Sequence, residues 1–275
     1  MSKPTGTSHA IVSESEIIRR ISSRGAALVA MSGGVDSSLV AALAHDALGS
    51  KSVAVTLTGP AVARWEVDRA VRVAGRIGIS HRVVEVDPLT RPEYRENTSQ
   101  RCYFCRTVET EALRRVGLDF GVTQLLDGIH ADDRNDIRPG IRAMDEAGFD
   151  HPLAEADWTK RDVRAAARAR NLPNWDQPSD ACLSSRIAHG DAITPALLRQ
   201  VERGEEWLLA QGFRRVRVRS RRGGARVEVD PDEVPRLIEE PMATSVRTYL
   251  AGLGFTPVEL DTCGYGAHGA RMVRP

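Results

Sequence analysis

The sequence predicts an α/β protein in two parts: a parallel sheet clothed by helices over residues 1–175, and a smaller α+β unit over 176–275. Three observations predict it. Short apolar runs alternate with longer amphipathic segments through the first half of the chain. A glycine-containing stretch, SGGVDSS (32–38), stands between the first apolar run and the helical segment that follows. Past about residue 175 the order changes to a polar loop, a helix, two alternating strands, a helix and a last strand.

Residues 15–24 have the spacing of a short amphipathic helix. AALVAM (26–31) is a brief apolar run suited to a buried strand, and residues 38–49 read as a helix stopped by Gly49. SVAVTL (52–57) is a second strand and 62–78 a second long helix ending near Gly78. HRVVEV (81–86) alternates as a third strand, 103–116 suit a helix, and TQLLDG (123–128) a fourth strand. Strands joined by helices of this length imply parallel pairing, with ligands beyond the carboxyl ends of the strands. The joint between the two parts falls near 173–180. Beyond it, PSDACLSSR (178–186) is a turn-rich loop and 194–211 a helix. RRVRVRS and ARVEVD form an antiparallel pair joined through 221–224, and a helix over 231–251 leads to the strand PVELD (257–261).

Composition narrows the function. At 275 residues, 41% hydrophobic and 27% charged, the chain has the make-up of a globular protein with a proper core. No apolar run approaches the roughly 20 residues that span a bilayer, and MSKPTGTSHA lacks the apolar centre of a signal peptide. The expectation is a cytoplasmic protein with no membrane partner, its thiols reduced. A net charge of +1 supplies no basic field for nucleic acid. Only Lys3, Lys51 and Lys160 are lysines among 38 basic residues, a bias that genome composition explains.

SGGVDSS is the strongest chemical signal. At a strand-to-helix junction the backbone N–H groups and the helix dipole favour an anion. Gly33 and Gly34 let the backbone approach phosphate oxygens. Ser32, Ser37 and Ser38 add hydroxyl donors, and Asp36 can hold magnesium. The Gly-Lys-Ser/Thr ending of the usual triphosphate loop is absent, which argues against simple γ-phosphoryl chemistry.

Four cysteines are present. Cys102 and Cys105 lie three positions apart in RCYFCR, a spacing compatible with half of a zinc site, a redox dithiol or two thiols on one helical face. Cys182 lies in PSDACLSSR close to Arg186, and a neighbouring guanidinium favours a thiolate. Cys263 has no partner nearby in sequence. Arg217 and Arg219 alternate on one strand and so share a face, as a phosphate clamp needs and as a solvated strand edge in an arginine-rich chain also gives. Asp132, Asp133 and Asp136 either join Asp36 around magnesium or decorate a loop.

SGGVDSS closely resembles the PP-loop of the ATP pyrophosphatase superfamily, which includes GMP synthetase, NAD synthetase and tRNA thiolation enzymes. That resemblance implies cleavage of ATP between its α and β phosphates and adenylation of a substrate oxygen. Together with DGIHADDRNDIRPG (127–140), PSDACLSSR and VRVR (216–219), the loop resembles the LarE family over nearly the whole chain. The resemblance implies an ATP-dependent sulfur insertase for the nickel-pincer nucleotide cofactor. Each carboxylate of a pyridinium dicarboxylate mononucleotide would be adenylated and then converted to a thiocarboxylate. It places the sulfur-bearing cysteine on Cys182 and a nucleotide contact on Gly128. Substrate contacts fall on Arg106, Arg186, Glu205, Arg217 and Arg219.

The chain departs from the sacrificial members, whose cysteine surrenders its own sulfur, because they carry an aromatic and a small residue where Cys102 and Cys105 stand. With three cysteines it resembles instead the members in which three thiolates hold a [4Fe-4S] cluster and leave one iron open. ATP, Mg2+, the cluster, a separate sulfur donor and a homo-oligomer such as a hexamer follow as implied partners. A tRNA thiolation enzyme and a nucleotide-binding module without turnover are the alternatives.

Overall fold

The computed structural model describes residues 12–135, 139–178 and 181–266. In chain order, α1 (Glu14–Ser23), β1 (Ala27–Ala30), α2 (Val35–Leu48), β2 (Ser52–Thr58), α3 (Arg64–Ile77) and β3 (Ser80–Glu85) come first. Next are α4 (Pro92–Arg95), α5 (Arg101–Asp119), β4 (Gln124–Leu126), α6 (Pro139–Glu146), β5 (Phe149–Asp150), α7 (Pro152–Glu155) and α8 (Lys160–Ala169). The chain continues through α9 (Pro195–Ala210), β6 (Val216–Arg221), β7 (Gly224–Val229), α10 (Val234–Ile238), α11 (Met242–Gly252) and β8 (Val258–Leu260). No helix of the described residues is long and apolar enough to cross a membrane.

The chain divides into two compact units that interleave in sequence. One takes the residues up to Leu57, Trp65–Val84 and Thr110–Gln177; the other takes Thr58–Arg64, Glu85–Glu109 and Pro178 onward.

The first unit is built on a five-stranded sheet of order β3-β2-β1-β4-β5. β1 pairs in parallel with β2 on one side and β4 on the other, and β4 with β5. The chain leaves β1 toward one edge and returns to build the other. A crevice therefore opens between the carboxyl ends of β1 and β4, where such sheets take ligands. Alternation along β1 explains the two-sided burial: Ala27 and Val29 join a core with Ile17, Leu39, Leu43 and Val163. Leu28 points the opposite way, into a core with Leu113, Met144 and Phe149. Covered on both faces, β1 has no polar position.

The second unit carries a three-stranded sheet of order β6-β7-β8. β6 and β7 form an antiparallel hairpin in which Arg221 pairs with Gly224. Arg222 (φ 49°) and Gly223 (φ 83°) make the two-residue turn, whose positive angles suit the strand twist. The single helix expected over 231–251 is instead α10 and α11, parted at Glu239–Pro241. Pro241 has no N–H to continue the helical ladder. Beyond the elements expected from sequence, the structure adds α4, β5, α6, α7 and α8. β5 has only two residues, too few for an alternating pattern to register.

Candidate functional site

The SGGVDSS loop lies in the first unit, between β1 and α2. Gly34 is the N-cap of α2 and, among the described residues, no side chain caps that helix end, so its first N–H groups keep their capacity for an anion. The serines brace the loop rather than the helix: the Ser32 N–H donates to Ser37 Oγ at 3.1 Å, and Ser37 Oγ donates to the Gly34 carbonyl at 3.2 Å. Gly33 has φ +79°, and a Cβ there would stand 2.9 Å from the backbone nitrogen of Ala70. Asn174 Nδ2 donates to the Gly33 carbonyl at 2.8 Å and to Ser38 Oγ at 2.9 Å, while Arg69 Nε donates to the same carbonyl at 3.0 Å. From across the crevice Gly128 closes onto the loop. A Cβ on Gly128 would come within 2.5 Å of the Ser37 nitrogen, so only glycine allows this approach. The sequence-predicted nucleotide residues Ser32, Gly33, Gly34, Asp36, Ser37, Ser38 and Gly128 are thus one cluster.

Asp36 shows what sequence reasoning missed. Its carboxylate accepts from Lys160 Nζ at 2.7 and 2.5 Å. Lys160 opens α8 and its own N–H donates to Asp132 Oδ2 at 2.8 Å. The loop without a lysine therefore has one delivered from another helix. Its signal was its rarity in an arginine-rich chain. His130, nearly buried, lies 3.3 Å from Asp133 Oδ2 and 4.0 Å from Asp36 Oδ1. Asp132 and Asp133 thus sit near Asp36, whereas Asp136 lies outside the described residues.

The second unit holds the thiols. Cys102 and Cys105 ride the first turns of α5, and Cys182 precedes the 3-10 turn Leu183–Arg186. A buried network ties these segments together. Asn97, fully buried at φ 54°, donates through Nδ2 to the carbonyls of Ala188 (2.8 Å) and Asp191 (3.0 Å). Its Oδ1 accepts from Arg101 at 2.6 Å, and Arg101 donates onward to the Ser184 carbonyl at 3.0 Å. Tyr94 and Ser184 are hydrogen-bonded through their hydroxyls. The result is electrostatic contact among the thiols: Cys182 feels Cys102, and Cys105 feels Cys182. Cys102 is exposed and the other two half-buried. Cys263 is exposed as well.

The expected lowering of the Cys182 pKa does not occur. Burial pushes that thiol up, outweighing the pull of Arg101 and Arg186. Cys105 is likewise pushed up, by burial and by the Glu109 carboxylate, to which its Sγ donates at 3.2 Å. Arg106 Nη1 donates to the same Glu109 at 2.6 Å.

Arg186 and Glu205 form a bidentate pair at 2.8 and 2.9 Å, each side chain 1% exposed. Arg186 also donates to the carbonyls of Ala181 and Cys182, while Glu205 Oε1 accepts the Val218 N–H at 3.0 Å. The pair fastens the Cys182 backbone to α9 and β6. Its charges compensate each other, so removing either one strands the other in the interior. Arg219 donates to Glu228 at 3.1 Å and to the Ser185 carbonyl at 3.2 Å. Arg217 is buried, donates to the Val216 carbonyl at 2.8 Å and lies 5.4 Å over the Tyr265 ring. All eight predicted sulfur-site and substrate residues therefore belong to this unit.

Among the described residues no group of three or more His, Cys, Asp or Glu side chains is placed to hold a metal ion. The donors nonetheless match the implied groups in kind. Magnesium binds through one or two carboxylates completed by phosphate oxygens, a demand Asp36 meets without a protein cage. Three neighbouring thiols are the donor type of an iron–sulfur cluster, although the structure gathers them without clasping a common centre.

A protein-family profile described as NAD synthase matches residues 13–116, the stretch from α1 through most of α5. An uncharacterised protein of Synechocystis sp. is 39% identical over 239 residues, covering 87% of this chain and 89% of the relative. The pyridinium-3,5-bisthiocarboxylic acid mononucleotide synthase of Lactiplantibacillus plantarum is 34% identical over 238 residues, 86% of each chain. This chain belongs to the LarE family. A more distant relative, an uncharacterised protein of Methanocaldococcus jannaschii, is 26% identical over 78% of the chain. The matches to LarE relatives run through both units, whereas the NAD synthase match ends before the Cys182 loop. The phosphate loop is thus shared widely, and the part of the chain bearing Cys182, Arg217 and Arg219 is where the LarE likeness goes further.

Proposed function

We propose that this chain is an ATP-dependent sulfur insertase that converts a carboxylate of a pyridinium dicarboxylate mononucleotide into a thiocarboxylate, as nickel-pincer nucleotide assembly requires. A substrate carboxylate oxygen attacks the α-phosphorus of ATP, the bond to the bridging oxygen breaks, and pyrophosphate leaves in the grip of the loop. The acyl adenylate then accepts a sulfur nucleophile at its carbonyl carbon and expels AMP. AMP turns a poor oxygen leaving group into a good one, which is why the α–β bond is the one to spend.

The observation that carries this reading is the glycine loop itself: an uncapped helix end, closed by Gly128, in a chain of the LarE family. Asp36 would hold magnesium, which would neutralise phosphate charge there, and Lys160, which donates to Asp36, adds a cation beside the loop for the phosphates. Arg217 and Arg219 hold the substrate phosphate, with Arg106 beside the thiols. Arg186 and Glu205 fix the backbone of Cys182. Cys102, Cys105 and Cys182 would hold a [4Fe-4S] cluster. Such a cluster, when bound, supplies an iron with an open position for a transferable sulfur. The unit built on β1–β5 serves the nucleotide, and the unit that holds Cys102, Cys105, Arg106 and most of residues 176–275 serves the substrate and contacts between copies in a homo-oligomer. A reducing, cytoplasmic setting and a separate sulfur donor belong to the same reading.

Incubation with ATP, magnesium and the dicarboxylate mononucleotide tests it. AMP and pyrophosphate are expected in equal amounts; ADP and phosphate would overturn the reading.

A further inference from the structure

Asp127 follows β4 and His151 follows β5, so both stand at the carboxyl end of the sheet on neighbouring parallel strands. His151 is bonded at both ring nitrogens: Nδ1 to Asp127 Oδ1 at 2.8 Å and Nε2 to Asp145 Oδ1 at 2.7 Å. Two carboxylate partners require two N–H donors, hence an imidazolium. Asp127 is buried; its Oδ1 also accepts the Ile129 N–H at 3.0 Å, and its Oδ2 is buried without a partner among the described residues. The residue after it is Gly128, pressed on the Ser37 nitrogen in the first turn of α2. The same loop is held from the α7 side by bonds from Ala154 N to the Ile129 carbonyl and from Ala131 N to the Trp158 carbonyl. An unneutralised carboxylate here would oppose an anion at the phosphate loop.

We propose that His151 is a positioning residue for nucleotide binding: braced between Asp127 and Asp145, it seats the 127–131 loop on the first turn of α2 and cancels the Asp127 charge beside the bound phosphates. In this role, which rests on the nucleotide-loop reading above, His151 touches neither substrate nor metal and acts through Asp127. The charged groups facing it are Asp127 from the β4 loop, Asp145 from α6 and Glu155 of α7, whose carboxylate accepts the His151 backbone N–H at 3.2 Å. Burial disfavours the imidazolium, but the bonds and charges of Asp127 and Asp145 outweigh it and raise His151 from 6.5 to about 9. The brace is therefore charged through neutral pH and loses its proton as pH rises through about 9.

The test is calorimetric binding of magnesium α,β-methylene-ATP to the full chain between pH 6.5 and 10. For the wild type the Kd is flat at neutral pH and weakens above about pH 9, by roughly tenfold, as a charge-assisted bond is lost. Asp145→Asn weakens binding at pH 7 by less than His151→Gln does, because Asp145 is exposed, and its break moves down by about one pH unit as one carboxylate partner disappears. His151→Gln binds about tenfold more weakly at pH 7 and shows no break. A purely structural histidine would leave the Asp145→Asn break where the wild type has it, and that coincidence overturns the proposal even if His151→Gln fails to fold. Equal affinity of His151→Gln and wild type does the same. Absence of binding by the wild type at pH 7 overturns the nucleotide reading itself, and this role with it.

Discussion

In the phosphate loop, seven consecutive residues supply the cradle, and nearby segments close it through one glycine, one asparagine, one arginine and one lysine. The thiol centre is assembled differently. Two of its sulfurs come from the start of α5 and the third from a loop far along the chain. What joins them is a set of buried side chains, Tyr94, Asn97, Arg101, Arg186 and Glu205, of which only the last two carried any signal in sequence. One region spends backbone geometry and the other spends buried polar bonds. The loop should therefore fail by strain and the thiol centre by unsatisfied polarity.

The largest effect expected is at Cys182. Cys182→Ala should abolish thiocarboxylate formation while nucleotide affinity, measured by calorimetry, stays within twofold. Loss of nucleotide binding as well would break the division between the two regions. Next is Glu205→Ala, which strands the Arg186 guanidinium in the interior. A loss of about 3–5 kcal/mol is expected in urea unfolding, against near-neutrality if the pair were a surface ornament. Asn97→Ala removes the pivot between the α4–α5 segment and the Cys182 loop. It should cost roughly 1–3 kcal/mol and slow cross-linking of Cys102 to Cys182 by a short bismaleimide.

Gly33→Ala sharpens the other side. A side chain at φ +79° carries strain of about 1–2 kcal/mol, and its Cβ meets the α3 backbone. Nucleotide affinity should fall while alkylation rates of the three thiols stay unchanged. The smallest effect is the pH dependence of stability through His151. Its folded-state pKa is raised to about 9, so the stabilisation is fully present below 6.5 and is lost as pH rises through about 9. Urea midpoints of wild type and His151→Gln should converge between pH 7 and pH 10.

The difference between the regions also explains what the sequence could disclose. SGGVDSS was legible because a strand-to-helix anion loop needs glycines and hydroxyls in consecutive positions, although α2 begins within that pattern, at Val35, and not at Ser38 as expected. The order of alternating strands and helices made the parallel sheet legible too. Lys160 and His151 were not, since nothing local distinguishes a lysine on a helix or a histidine after a two-residue strand from a solvated one. Cys182 does lie beside an arginine, but burial pushes its thiol up where the neighbouring guanidinium alone would push it down. Sequence adjacency gave Arg186 as a neighbour; only the fold shows that its guanidinium is spent on Glu205 and two carbonyls while burial acts on the thiol. The 231–251 helix was misread because a proline inside an otherwise helical pattern leaves open whether the helix bends or ends.

We propose that Cys102, Cys105 and Cys182 act as one sulfur-delivering centre that survives turnover. Anaerobically purified protein, analysed for iron and sulfide and then weighed intact after single and repeated turnover with ATP and the dicarboxylate, tests it most directly. Cluster iron that is lost on Cys182→Ala and a chain mass unchanged after catalysis are expected. A chain lighter by one sulfur and two hydrogens, with dehydroalanine at Cys182 and no requirement for iron, would contradict it.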